Sequence, residues 1–175
     1  IMIVKISQTV SNIKQTFDIE SDVFYFQGKV GQFSRFQPIT LSNKDTKMKG
    51  VYHFSEWINY IPFRWLFGKE NHTKIFRLYK NENIYGSIMY SQRGFMKSFH
   101  VITLNSGEIF HCYCRAKGSF HYVSIYQAEK QIALIETFLN TTDYKYIHKL
   151  YVLEDYNRFA DTLSFFVLYC SNYYF

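Results

Sequence analysis

Proline is nearly missing from these 175 residues, with 2 in the whole chain, and cysteine is sparse at 3. Cys112, Cys114 and Cys170 are an odd number placed in apolar stretches, which reads as reduced thiols in a cytoplasmic setting and excludes a disulfide-framed secreted fold. No long hydrophobic run exists. The longest, Phe165 to Cys170, falls far short of the ~20 residues that cross a bilayer as a helix. The N-terminus lacks the basic region, apolar stretch and small-residue cleavage site of a signal peptide. Catalytic signatures are missing too: there is no Gly-x-Ser-x-Gly, Walker loop, His-Glu-x-x-His or glycine-rich dinucleotide loop.

What the chain has in quantity is aromatic residues, 21% of the total, carried by 18 Phe and 16 Tyr. Such side chains suit pleated, half-buried surfaces, although an A+T-rich genome inflates the same residues. The length is that of one domain able to bury about two thirds of its unfolded surface. Net charge is +6 with a pI near 9.1, a mild excess that suits anionic partners such as nucleic acid, phospholipid headgroups or acidic proteins. The cations are scattered among acids, and no dense basic run marks a nucleic-acid tail. The basic and aromatic RNP pattern is also missing, so nucleic acid is not an expected partner.

Period-two alternation recurs along the chain. Met2, Val4 and Ile6 share one face, Phe24 and Phe26 another, and Gly28 and Gly31 read as breaks. Further strands are expected at Phe36–Leu41, Gly50–Phe54, Thr73–Tyr79, Ile84–Ser91, Lys97–Leu104, Ile109–Arg115, Phe120–Gln127, Gln131–Leu139 and Tyr144–Leu153. The turns between them, such as Lys80–Asn83, Asn105–Gly107, Lys117–Ser119 and Asn140–Asp143, are short. Links this brief predict antiparallel neighbours and leave no room for helical crossovers. The period changes to 3.6 at the C-terminus, where Phe159, Ala160, Leu163, Phe166, Val167 and Cys170 recur behind Asp155, a candidate N-cap. Phe165, Leu168 and Tyr169 fill the remaining faces, so the helix is apolar nearly all round and should be surrounded by protein. The expected fold is all-β with one helix: a single domain over 1–175, an antiparallel closed β-barrel around a buried apolar helix at about 155–172.

In its C-terminal stretch, Glu154-Asp155-Tyr156-Asn157-Arg158-Phe159-Ala160-Asp161-Thr162-Leu163-Ser164-Phe165-Phe166-Val167-Leu168, and in the hairpin from Lys74-Ile75-Phe76-Arg77-Leu78-Tyr79 to Ile84-Tyr85-Gly86-Ser87-Ile88, the chain resembles the tubby-like superfamily. That superfamily takes in tubby C-terminal domains, phospholipid scramblases and LURP-one-related proteins, and small tubby-like proteins of low-GC bacteria look most similar. The resemblance implies a many-stranded barrel around a C-terminal helix far more than an activity. The acidic calcium-binding stretch and the lipid-attachment cysteines of scramblases are missing, so calcium-driven scrambling is not implied. Tubby domains bind phosphoinositides through basic surface residues, but no such motif aligns here and none is carried over.

Two segments offer a lipid or partner surface. In Ile61-Pro62-Phe63-Arg64-Trp65-Leu66-Phe67-Gly68-Lys69, the rings of Phe63 and Trp65 beside Arg64 and Lys69 fit a lipid interface; the plainer reading turns Phe63, Trp65 and Phe67 inward as core with Arg64 outward. Lys44, Lys47 and Lys49 form a compact basic turn able to meet a phosphate or merely to be solvated. His111-Cys112-Tyr113-Cys114 contains zinc-type ligands, yet a structural site needs four and the other histidines lack ligand spacing, which favours buried thiols over a metal site. No metal or cofactor is expected. Asp161, inside the apolar helix, requires a partner such as Arg158 or a position at the barrel mouth. The leading expectation is a cytoplasmic binding or scaffold module, peripheral to the membrane, that contacts anionic lipid or another protein. The alternatives are a small hydrolase with a cleft at the barrel mouth, where carboxylates such as Glu108, Glu129, Glu136, Asp143 or Asp161 would meet, and a lipocalin-like or pleckstrin-like carrier.

Overall fold

A computed structural model of the chain describes residues 1–11, 14–31, 38–52, 74–93, 97–117 and 120–174. Within them run twelve strands: Met2–Ser11 (β1), Lys14–Glu20 (β2), Tyr25–Gly31 (β3), Ile39–Ser42 (β4), Lys47–Tyr52 (β5), Lys74–Lys80 (β6), Asn83–Arg93 (β7), Lys97–Leu104 (β8), Ile109–Lys117 (β9), Phe120–Gln127 (β10), Lys130–Asn140 (β11) and Lys145–Val152 (β12). Each pairs antiparallel with its sequence neighbours, and β1 pairs with β12 from Met2↔Val152 to Ser7↔Ile147, which closes the sheet into an up-and-down barrel. Closure removes the sheet edges that would otherwise recruit other chains.

Alternation decides which side chains line the lumen. In β3 and β5 every second residue is buried, so Phe26, Val30, Met48 and Tyr52 point in while Tyr25, Lys29, Lys47 and Lys49 point out. The inner face is mainly apolar, with Gln8, His100, Thr137 and His148 as buried polar exceptions, and the outer face carries the charges, the reverse of a transmembrane barrel with its polar lumen and apolar belt. No helix among the described residues is long and apolar enough to cross a membrane.

Twelve strands enclose more space than their own side chains can fill, since about eight already give an interior just wide enough for side chains. The chain fills that space with a helix. After β12 a short 3-10 helix, Glu154–Phe159, leads into α1, Ala160–Tyr174. Thr162 to Ser171 are buried without interruption, and Leu163, Phe165, Phe166, Val167 and Leu168 have no exposed surface at all. A helix buried on all its faces lies within the barrel. Asp155 is not its N-cap: the α-helix starts five residues later, and Asp155 sits in the 3-10 turn, exposed, opposite Lys130 at 3.7 Å. Asp161 takes the capping role from the first turn, its Oδ1 accepting the Thr162 amide at 2.6 Å, where a carboxylate complements the helix dipole.

The end at which α1 enters is fastened to three successive hairpins. Lys80 of the β6–β7 hairpin reaches Asp161 Oδ2 at 2.6 Å, Glu108 beside β9 meets Arg158 at 3.4 Å, and Lys130 at the start of β11 faces Asp155. The last two are exposed and contribute little each. Lys80–Asp161 is the half-buried one. Burial pulls the Lys80 ammonium down, but the hydrogen bond and charge of Asp161 outweigh it and leave its pKa above the ordinary lysine value. Thus Asp161 stands at the barrel mouth, with Lys80 as its partner instead of Arg158.

Two glycines make room for the helix. Gly28 does not break its strand: it sits mid-β3 facing α1, where an added Cβ would come within 2.5 Å of Leu168 Cδ1. Gly50 of β5 faces the rings of Phe76 and Phe165, both fully buried. Leu168 can turn its terminal methyl aside, whereas two interlocked rings cannot, so Gly50→Ala should cost about 1–3 kcal/mol and Gly28→Ala less. Urea unfolding of both variants checks the order; equal and negligible losses would show that the helix does not pack on this wall.

Candidate functional site

On the outside of β5 and β6 lies a cleft of about 360 Å³ lined by Lys47, Lys49, Val51, Tyr79 and Glu82. Strand register explains the grouping. Lys49 pairs with Tyr79, Val51 with Arg77, Thr40 with Lys49, and Lys29 with Thr40, so Lys29, Thr40, Lys49 and Tyr79 form one outward row across four strands. Adjacent strands are ~4.8 Å apart, which puts the Lys29 and Lys49 backbones roughly 10 Å from each other. Ser42 stands opposite Lys47 in the next row. The result is a wall of ammonium groups interleaved with hydroxyls and one phenol.

The lower rim of the cleft is fixed by the β6–β7 turn. Asn81 and Glu82 both have positive φ, 49° and 69°, the backbone of a tight hairpin whose twist suits the flanking strands. Asn81 donates its amide to the Lys47 carbonyl at 2.8 Å and accepts the Lys47 amide on Oδ1 at 2.9 Å, which pins the turn to the start of β5 and holds Glu82 beside the lysines.

Of the residues singled out from the sequence, Lys47 and Lys49 are brought together at this cleft. Lys44 is not in it. It is exposed at the tip of the β4–β5 turn, where the Asn43 side chain accepts the amides of Asp45 and Thr46. The three lysines therefore do not make one basic turn; two of them are strand residues on the barrel wall. Phe63, Arg64, Trp65 and Lys69 fall in 53–73, between β5 and β6, outside the described residues. Tyr79, Glu82, Lys29 and Thr40 were not foreseen, because register across strands joins them and sequence proximity does not.

The carboxylates proposed for a hydrolytic cleft do not converge. Glu136 accepts the Tyr151 hydroxyl at 3.0 Å, Asp161 holds Lys80, Glu108 holds Ser106 and Arg158, Asp143 accepts the Lys145 amide at 3.2 Å, and Glu129 is exposed in the β10–β11 turn. A Ser–His contact does exist in the core: His148 Nε2 lies 3.2 Å from Ser171 Oγ, and its Nδ1 lies 2.8 Å from Thr137 Oγ1. Ser171 donates to the Val167 carbonyl at 3.0 Å. With that proton committed, the consistent assignment has His148 donating from Nε2 and Thr137 donating to Nδ1. Nδ1 thus faces a hydroxyl where a hydrolase would place a carboxylate. All three residues are buried, so the network joins helix to wall and does not meet a substrate.

In β9, His111 points to the face opposite Cys112 and Cys114, so the His111-Cys112-Tyr113-Cys114 stretch does not converge on one site. Among the described residues no group of three His, Cys, Asp or Glu is arranged to hold a metal ion. Burial pushes the thiols of Cys112 and Cys170 well up and that of half-buried Cys114 up, which keeps them protonated and unreactive. A thiol reagent at neutral pH should modify Cys114 slowly in the native protein and reach Cys112 and Cys170 on unfolding alone; rapid modification of all three would place them outside the core.

Burial also holds His100 and His148 down at about 3, against an ordinary 6.5. The unfolded chain binds these protons near 6.5 and the folded chain near 3, so the stability the two neutral imidazoles confer is complete above pH 6.5 and drains away as pH falls toward 3. Two pH units below 6.5, the loss is about 2.5 kcal/mol for each histidine. Chemical denaturation at pH 7 and pH 4.5 measures it, and an unchanged midpoint would mean the imidazoles are hydrated in the fold.

Comparison with family models, curated proteins and solved structures finds no match to this chain, so the site stands on its own geometry.

Proposed function

We propose that this chain is a tubby-like binding module that docks on anionic phospholipid headgroups at a membrane surface through the β5–β6 cleft. The observation that carries the reading is the outward placement of Lys47 and Lys49 around a concave site, with Lys29 in the same row and Arg77 beside Val51. A phosphate monoester or diester matches this donor set: ammonium groups for its charge, hydroxyls of Thr40, Ser42 and Tyr79 for its oxygens. Glu82 offers an acceptor for a headgroup hydroxyl or amine. Membership of the tubby-like superfamily is supported by the pairing of an up-and-down barrel with a C-terminal helix enclosed in it. A lipocalin-type carrier would need for its ligand the lumen that α1 occupies.

Each lysine near an anionic surface is worth about 1 kcal/mol. Flotation with vesicles of neutral lipid, with and without phosphatidylserine or phosphoinositide, tests this at low and high salt. The wild type should float with anionic vesicles at low salt, and Lys47→Glu/Lys49→Glu should weaken binding by at least about thirtyfold. Equal flotation of the variant, or no flotation of the wild type at low salt, removes the cleft from consideration as a lipid site.

A further inference from the structure

The far side of the barrel has a different surface. Cross-strand register aligns Ile3, Tyr151, Leu134, Ser124 and Tyr113 in one outward row over β1, β12, β11, β10 and β9, and Phe99 of β8 continues it with its ring 5.9 Å from that of Tyr113. Ile3 is 53% exposed and Tyr113 40%. A neighbouring row holds Val101, His111 and Tyr126. Neither row contains Asp, Glu, Lys or Arg, whereas the described rows through Asp18, Lys49 and Lys149 do. Depletion of Lys, Asp and Glu with enrichment of Tyr and Phe is the compositional mark of an interface core.

The row on the opposite flank identifies the occupant. Arg115, Tyr122, Glu136, Lys149, Lys5 and Glu20 follow one another across β9 to β2, giving the charge order plus, neutral, minus, plus, plus, minus. A two-fold axis parallel to the strands lays this row on its own reverse. Across the four strands from β10 to β1 each charge then meets its opposite or the neutral Tyr122: Glu136 against Lys149, and Tyr122 against Lys5. The same operation sets Leu134 against Tyr151 in the uncharged row. Self-complementarity of this kind is what an isologous contact demands, whereas an anionic polymer or membrane would meet Glu136 at the centre of the face.

We infer that β10, β11, β12 and β1 form a face on which a second copy of this chain docks, side by side, with Leu134, Tyr151, Glu136 and Lys149 at its centre. Barrel curvature limits the contact to about four strands, on the order of 400 Å² of wall per copy. That is below the ~800 Å² per partner of a standard interface, so the dimer is reversible, with a dissociation constant in the micromolar range.

Sedimentation velocity at physiological salt, from about 1 to about 500 μM, brackets that range. The weight-average mass should rise from 21.0 kDa toward twice that value. Glu136→Lys should raise the dissociation constant at least about tenfold by facing lysine with lysine, a change of ~1.4 kcal/mol, and Glu136→Lys/Lys149→Glu should restore association. Leu134→Lys, on the outer wall, should abolish it at an unchanged unfolding midpoint. A mass of 21.0 kDa at every concentration overturns the inference, as does association indifferent to all three variants. Vesicle flotation by a chain that stays monomeric would leave the lipid reading standing and remove this one.

Discussion

Everything in this molecule depends on mutual burial between a closed sheet and the helix it encloses. Neither part is stable alone. A fifteen-residue helix with apolar side chains on every face has no soluble state of its own, and a twelve-stranded ring without a filling would leave its inner Phe, Ile and Leu side chains around a void. Packing at this seam is tight enough that two wall positions are glycine, and the rings of Phe76, Phe165 and Tyr169 interlock behind one of them. The few polar groups on the helix are handled case by case. Asp161 is neutralised at the mouth by Lys80, and Ser171 spends its proton on its own backbone while meeting His148 of the wall.

Most of this architecture was legible because alternation and helical periodicity are local signals. The strands Lys97–Leu104 and Phe120–Gln127 fall where the pattern of inward Ile, Val and Phe places them, and the all-round apolarity of the C-terminal helix pointed to an enclosing wall. β2 escaped notice. Phe17 and Ile19 are its buried hydrophobic residues, and so short an alternation among polar neighbours carries little strand signal until β1 and β3 supply partners on both sides. Gly28 was misread as a strand break, since the sequence does not show that Leu168, 140 positions later, requires the space. The helix start moved for a similar reason: Asp155 has the chemistry of a cap, but the chain must first turn from the rim into the lumen, and a 3-10 segment makes that turn.

The candidate site was legible by half. Lys47 and Lys49 stand out in the sequence, but as part of a compact basic turn with Lys44; the shared face comes from their place two apart in β5. Their companions come from β3, β4 and the β6–β7 hairpin, and pairing register alone joins them. The same holds for the core contact of Thr137, His148 and Ser171, drawn from two strands and the helix. Cleft and aromatic wall lie on different sectors of the barrel. On the proposed readings, one partner would be held without obstructing the other.

The order of elements along the chain carries a consequence for biogenesis. Closure of the sheet joins Met2 to Val152, among the longest sequence separations the chain offers, while every other pair of strands is adjacent in sequence. On the ribosome the wall emerges strand by strand, with its apolar inner side complete before any residue of the helix that covers it has been made. A nascent chain at that stage displays the surface that chaperones recognise and that aggregates form from. The seam between wall and helix can therefore form only after all twelve strands have been made.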